Sequence, residues 1–464
     1  MHNFFFITQS LYQTRFWIEV IKHIEKNTSI KCYLLNFDYE SQKLLGQETI
    51  NFFNILPKQK NIIRKSLFSF RSDIKKYNIK NLSKLLNHEK NYYGKRNTIK
   101  ILGKLMFYIK KINEIFNQYS YKNSFIFQEI GGFSSNISLY LFSTANNFQH
   151  YFLEPSYFLG RFHVLKNTYD CNPLERKDKN NDQTNVENHL KNILNKKQII
   201  IPKKDLLQFK DPLNKIFNLH NFQRFFKKIY IKYFLKEHQE FNEPLLYSYT
   251  AIKNFTNSKI NKFYFKSIEH IKDKKIIYYP MHVNNDFAIT FRSIEYFDQI
   301  KFISFLAKKI PQDYYLVIKE HPAREGNLNF NIVKELLKKN DNIIFLNTNI
   351  NTFKILELSS LVVTINSKSG FEAILNNNKL ISLGESYYKE YGYNHVLSNL
   401  SSLKNSLEKM LNNKVMTDTK DNWINIINFF KILFNNSFKG DIYALDYKNI
   451  EIFSNSIIKI ANKS

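Results

Sequence analysis

Tyr314-Tyr-Leu-Val-Ile-Lys-Glu-His-Pro322 decides how this chain is read, together with Leu361-Val-Val-Thr-Ile-Asn-Ser-Lys-Ser-Gly-Phe-Glu-Ala373 and Leu380-Ile-Ser-Leu-Gly384. The first two are short apolar, β-branched runs that stop at a polar turn and pass into helical spacing, so each reads as a buried strand feeding a helix. The tip of one carries a cation and an imidazole, Lys319 and His321, with Arg324 close behind. The tip of the other carries small hydroxyls and a glycine that opens a helix, Ser367, Ser369 and Gly370, with Lys368 between them. Positive side chains, a donor imidazole and the N–H groups of a helix start are what a phosphate needs. Pro322 fixes the turn and pushes His321 toward an extended backbone.

Working outward, Lys275–Tyr279 reads as a strand ending at Pro280. After it come helix 294–309, strand 314–318, helix 330–339, strand 342–346, helix 352–358, strand 361–365, helix 370–376 and strand 379–383. This β/α alternation with short loops predicts a Rossmann-like sheet. The N-terminal half repeats the theme with strand 4–7, helix 11–25, strand 31–37, helical stretches near 62–77 and 99–119, strand 124–127, helix 134–145 and strand 150–154. Helical segments at 403–411, 423–434 and 450–461 finish the chain. The expected architecture is α/β: residues 1–265 form an N-terminal Rossmann-like acceptor domain with a basic helical excursion at about 167–250, residues 266–400 a second Rossmann-like domain, and residues 401–464 C-terminal helices packing back across the two. Two such sheets imply a cleft between strand C-termini, where ligands of open α/β sheets bind.

Other candidates sit at strand ends. Pro280-Met-His-Val-Asn-Asn-Asp286 offers His282 and Asp286, the latter either a helix cap or a carboxylate that stabilises an oxocarbenium-like state. In the first half, Glu129 (followed by Gly131 and Gly132) and Glu154 are candidate general acids or bases. Gln9, Ser10 and Arg15 lie on the first strand-to-helix turn as candidate acceptor or donor-carboxylate contacts. Glu372, in the first turn of its helix, is placed to accept from ribose hydroxyls, or is simply a favourable first-turn acid.

Composition bounds the rest. The chain has 464 residues, enough for two cores, and its 43% hydrophobic content excludes disorder. Lys+Arg 68 against Asp+Glu 40 gives a net charge of +28, spread along the chain, with no nucleic-acid signature. Compositional drift toward lysine or an anionic membrane surface accounts for it. Phe217–His238 is a basic, aromatic helix, read as a lysine-rich solvated face over an aromatic core stripe, with a membrane-surface helix as the functional alternative. Arg176–Thr184 is polar and charged, an exposed loop. Cys32 and Cys171 lack metal-ligand spacing, so no zinc site or disulfide framework is expected. No apolar run reaches the ~20 residues of a membrane span, and the N-terminus lacks signal-peptide character, so a cytoplasmic protein is expected, peripheral on the inner membrane if attached at all.

In combination, Tyr279–Asp286, Lys319–Pro322, Thr364–Ala373 and Leu383-Gly-Glu-Ser-Tyr-Tyr388 resemble the capsule polysaccharide biosynthesis family, which includes the retaining β-Kdo transferases of bacterial capsule export. The resemblance covers roughly the second half; residues 167–250 match nothing in it. The family often has Gln where this chain has His282, and Pro at Lys379 or Leu380. The resemblance implies a GT-B architecture and a CMP-activated sugar acid donor, typically CMP-Kdo, with no metal or other cofactor. His321, Ser367 and Ser369 would hold the CMP phosphate and Glu372 its ribose, and Asp286 matches an acidic position of the family's strand-end motif. Expected partners are the nucleotide-sugar donor, a glycan or glycolipid acceptor, the inner-membrane surface and other capsule assembly proteins, and not nucleic acid. A sialyl- or polysialyltransferase using CMP-sialic acid, and a non-catalytic polysaccharide-binding assembly protein, stay open as alternatives.

Overall fold

The computed structural model describes residues 2–57, 77, 81–94, 98–175, 183–197, 201–209, 218–237, 239–389, 394–396, 400–412 and 419–462. The expected helical stretch near 62–77 lies outside these residues but for Tyr77, as do Phe217, His238 and most of the polar run 176–184. Thirteen strands are described: β1 (Asn3–Thr8), β2 (Lys31–Asn36), β3 (Asn51–Asn54), β4 (Ser124–Glu129), β5 (Gln149–Pro155), β6 (Arg161–Lys166), β7 (Lys275–Pro280), β8 (Tyr314–Lys319), β9 (Ile343–Leu346), β10 (Ser359–Thr364), β11 (Leu380–Ser382), β12 (Asn394–Val396) and β13 (Ser437–Lys439).

They form two sheets. The first runs β13-β6-β5-β4-β1-β2-β3 and the second β12-β11-β10-β7-β8-β9. All pairings in the second sheet are parallel. Counted from β7, its order is 3-2-1-4-5-6, the Rossmann order, which reverses between β7 and β10. In the first sheet β1 to β5 are parallel, with the reversal between β1 and β4, while β6 and β13 join antiparallel at one edge. The chain is thus α/β and GT-B-like, two Rossmann-like sheets facing a cleft.

The strands are sheet cores because they are aromatic and β-branched throughout. Phe4, Phe5 and Phe6 are fully buried, as are Ile276, Ile277, Tyr278 and Tyr279. A run buried on both faces is the mark of a parallel sheet covered by helices. Both cysteines are free and buried.

Sequence reading missed β3, β6, β12, β13 and the helices Tyr39–Leu45, Leu82–Tyr92, Gln183–Lys196 and Pro244–Asn261. The C-terminal segment adds β13 to the first sheet, and helix Tyr447–Asn462 packs on helix Leu11–Asn27, Phe453 lying edge-on to Phe16. Helix Pro244–Asn261 goes with the second sheet. Asn257 and Asn261 donate through Nδ2 to the carbonyls of Gly326 and Leu328. That helix lies before residue 266, where the second domain was expected to begin. Part of the excursion is instead anchored to the first domain, where buried Lys104 pairs with Glu89 (2.5 Å) and Glu240 (2.9 Å).

The aromatic stripe expected to be core is not. Phe222, Phe226, Tyr230, Tyr233 and Phe234, on helix Leu219–Ile229 and the π-helical turn Tyr230–Phe234, are all exposed. Aromatic content and helical period say that a stripe exists, not which side of the helix finds a partner.

Candidate active site

The loops after β7, β8 and β10 converge on a cavity of about 430 Å³ between the sheets. Its walls include His282, Asp286, Lys319, His321, Pro322, Arg324, Ser367, Lys368, Ser369 and Glu372 from the second domain, Glu129 and Glu154 from the first, and Lys204, Asp205 and Phe209 from the excursion.

After β8, Pro322 starts a short 3-10 turn and His321 is extended (φ −67°, ψ 125°). The Ala323 N–H donates to His321 Nδ1 (3.2 Å), so the ring proton sits on Nε2. Burial pushes the imidazole down to about 4, with Asp286 opposing and Lys319, Lys368 and Arg324 reinforcing. His321 is therefore a neutral donor. Lys319 is buried, and its Nζ donates to the Ile350 carbonyl (2.8 Å) and Thr352 Oγ1 (3.0 Å). Burial lowers it to about 8 against the charge of Glu372.

After β10, Ser367 is the cap of helix Lys368–Leu375. Its Oγ accepts from the Ser369 N–H (3.2 Å) and its carbonyl from the Gly370 N–H (3.0 Å). This cap occupies two of the helix's free donors, so the groups left facing the cavity that an anion would need are the Lys368 ammonium, His321 Nε2–H and the positive end of the helix. Lys368 makes no hydrogen bond or ion pair among the described residues; burial lowers its pKa, as does Lys204, while Asp205, Glu154 and Asp286 oppose. Glu372, one turn further, is buried and pushed up to about 7 by desolvation, with Lys319 and Lys368 pulling the other way. Gly370 does not line the cavity. Its bare Cα receives the ring of Tyr388, whose hydroxyl donates to the Ser367 carbonyl (2.6 Å).

After β7, His282 is a strut. Its Nε2 accepts from the Asn366 N–H (3.3 Å), and Gln299 grips its backbone from both sides (2.8 and 3.1 Å), which ties the β7 and β10 loops together at the switch point. Burial lowers its imidazole to about 4. Asp286 is exposed on the cavity wall. Its Oδ1 caps the following turn at Ala288 N (2.9 Å), and its charge acts on His88, His282, His321, Lys204 and Lys368.

Several first-domain expectations change. Glu154 is no free acid or base: Arg292 grips it in a bidentate pair (3.0 and 2.8 Å), and the Tyr387 hydroxyl donates to it (2.6 Å). Burial pushes its carboxyl up, but Arg292 and Tyr387 outweigh that and hold it below the ordinary range. The pair joins β5 of one domain to the other domain. Glu129 faces the cavity, with its carboxylate taken by Lys204 (2.6 Å) and Gln13 (3.4 Å). Glycines 131 and 132 make room for Asn136 and His88, not for a ligand. Gln9, Ser10 and Arg15 do not line the cavity. Gln9 Nε2 donates to Ser135 Oγ and Asn136 Oδ1 (2.5 and 2.7 Å), Ser10 caps helix Leu11–Asn27, and Arg15 is exposed.

Residues 181–416 match the family described as capsule polysaccharide biosynthesis protein. The chain belongs to that family. The matched span begins inside the excursion, which corrects the expectation that residues 167–250 have no counterpart in it. No curated protein matches the chain. Solved structures similar to it include the β-Kdo 2,7 transferase KpsC of Thermosulfurimonas dismutans, at 13% identity and a TM-score of 0.39 over 99% of each chain. A glycosyltransferase from Rickettsia africae is also 13% identical, with a TM-score of 0.32, covering 100% of this chain and 98% of that one.

In this family member, sequence reasoning missed Arg292, Tyr387 and Lys204. Arg292 follows a strand-end loop by six residues, a spacing that carries no signal. Lys204 is one lysine in a lysine-rich chain. Burial pushes its ammonium down, and Glu129 and Asp205 more than restore it. Among the described residues no group of three His, Cys, Asp or Glu is placed to hold a metal ion.

Proposed function

We propose that this chain is a glycosyltransferase of capsular polysaccharide synthesis that transfers a sugar acid, Kdo foremost, from a CMP-activated donor to a glycan or glycolipid acceptor. The observation that carries the reading is the placement of His321 Nε2–H, the Lys368 ammonium, which has no partner among the described residues, and a helix N-terminus around one cavity at the Rossmann switch point, with Glu372 behind them. A CMP phosphate takes Lys368 and His321, and the ribose hydroxyls donate to Glu372. Breaking the anomeric C–O bond leaves the electron pair on the phosphate, where the same two donors stabilise it. Asp286 faces the cationic anomeric carbon. In the retaining form of the reaction its carboxylate bonds to that carbon, and the acceptor oxygen then displaces it, losing its proton. Glu129 takes that proton only if Lys204 first swings away, so Lys204 is placed to hold the site until acceptor arrives.

Purified protein is incubated with CMP-Kdo, CMP-sialic acid and UDP-sugars while donor hydrolysis is followed. Turnover of a CMP-sugar, with kcat/KM reduced about 10–100-fold in His321→Ala and further in Lys368→Met, is the expected result. Turnover of CMP-sialic acid alone shifts the assignment to a sialyltransferase. No turnover of any donor sinks the reading.

A further inference from the structure

The structure carries a second surface, remote in sequence from the cavity motifs. Eleven of the nineteen large hydrophobic side chains exposed among the described residues fall between Leu219 and Phe263. They are ordered. Phe222, Phe226, Tyr230 and Phe234 recur every four residues along Leu219–Ile229 and the turn after it, with exposures of 61, 54, 54 and 72%. That spacing makes one continuous stripe. On the neighbouring helix Pro244–Asn261, Leu245, Tyr249 and Ile252 form a second stripe, followed by Phe263 at 84% exposure.

The sides of these helices turned to the protein bury only Ile231 and Pro244 among their apolar residues and are otherwise tied down by polar groups: Lys228 donates to the Phe241 carbonyl, Lys232 pairs with Glu243, and Asn257, Ser258 and Asn261 are buried. The apolar stripes face outward. Exposed apolar patches of this extent mark an interaction site. The flanks identify the occupant. Residues 219–263 hold eight Lys or Arg against three Glu, and Arg224, Lys236, Lys253, Lys259 and Lys262 are exposed. Aromatic rings bordered by cations fit an interface of acyl chains beneath anionic headgroups. A second copy of the chain would bring the same cations face to face.

We propose that the paired helices Leu219–Ile229 and Pro244–Asn261, with the turn between them, are a docking surface for an anionic lipid bilayer, in which the aromatic stripe enters the headgroup region. The inference stands on this surface alone and not on the nucleotide reading, so the two fail separately.

The full chain is sedimented with vesicles of phosphatidylcholine alone and of phosphatidylcholine containing phosphatidylglycerol. The expected result is binding to the anionic vesicles only, weakening as salt rises. Phe222→Ser/Phe226→Ser/Phe234→Ser, and separately Lys253→Glu/Lys259→Glu/Lys262→Glu, should each weaken binding at least about tenfold. Both variants should keep the wild-type fold, read by circular dichroism and thermal denaturation. Should the phenylalanine variant misfold, the lysine variant carries the comparison. Absent binding to anionic vesicles, or binding that both variants retain, overturns the proposal. So does a dimer in solution that the phenylalanine substitutions dissolve while vesicles are ignored.

Discussion

Glu372 is the residue whose environment most affects how the site behaves with pH. Desolvation holds its carboxyl at about 7, above the ordinary value near about 4.3. The folded protein therefore keeps a proton that the unfolded chain gives up. Its contribution to stability is fully present below the unfolded value and is lost as pH rises through the folded one. Glu372→Gln should remove that loss. In urea titrations at about pH 4 and about pH 9 the variant should lie close to the wild type at the lower pH and exceed it by up to about 3 kcal/mol at the higher. Equal pH dependence in both proteins would show that Glu372 is ionised throughout. His321 and His282 were legible in sequence as cleft residues because each follows a buried strand. Their tautomers were not, since these depend on N–H groups that only the folded loops bring to Nδ1 of one and Nε2 of the other.

At the scale of elements, helix Lys368–Leu375 shows a glycine with a role other than the expected one. Gly370 was read as the glycine that opens a nucleotide-binding helix start. In the fold Tyr388 packs against it, and a Cβ on residue 370 would overlap the tyrosine ring. Gly370→Ala should cost about 1–3 kcal/mol of stability, the usual cost of overpacking, measured by thermal or chemical denaturation. CMP affinity per folded molecule should change little, since residue 370 does not line the cavity. A variant as stable as wild type would mean that Tyr388 moves freely. Apart from β12, which was not expected, strands of the second sheet were readable to within a few residues because their apolar runs are uninterrupted and their loops short. In the first sheet β6 and β13 were not: β13 has only three residues and is a strand because β6 offers it an unpaired edge.

Across the whole molecule, the part-buried Glu154–Arg292 pair with Tyr387 is a clamp between the domains. Removing one partner leaves an uncompensated, partly desolvated charge, so Glu154→Gln or Arg292→Met alone should cost about 2–3 kcal/mol, less than for a fully buried pair. The double variant should recover a large part of that, because neither charge is then stranded. Chemical denaturation of the four proteins closes the cycle; additive losses would mean the pair is not coupled. This clamp also explains why Glu154 was misread. A carboxylate at a strand end looks the same in sequence whether it meets a substrate or an arginine 138 residues away.

The sequence by itself determined the two Rossmann-like sheets, the order of the phosphate-facing turns and the family, because these follow from local period, apolar run length and motif spacing. Tertiary structure alone decided which charges remain available. Among the described residues Lys368 is left unpaired in the cavity, Glu154 and Glu129 are engaged by Arg292 and Lys204, and an aromatic stripe that patterning alone would bury faces outward. The physical reason is that availability depends on partners brought from far along the chain, and period and spacing describe only neighbours.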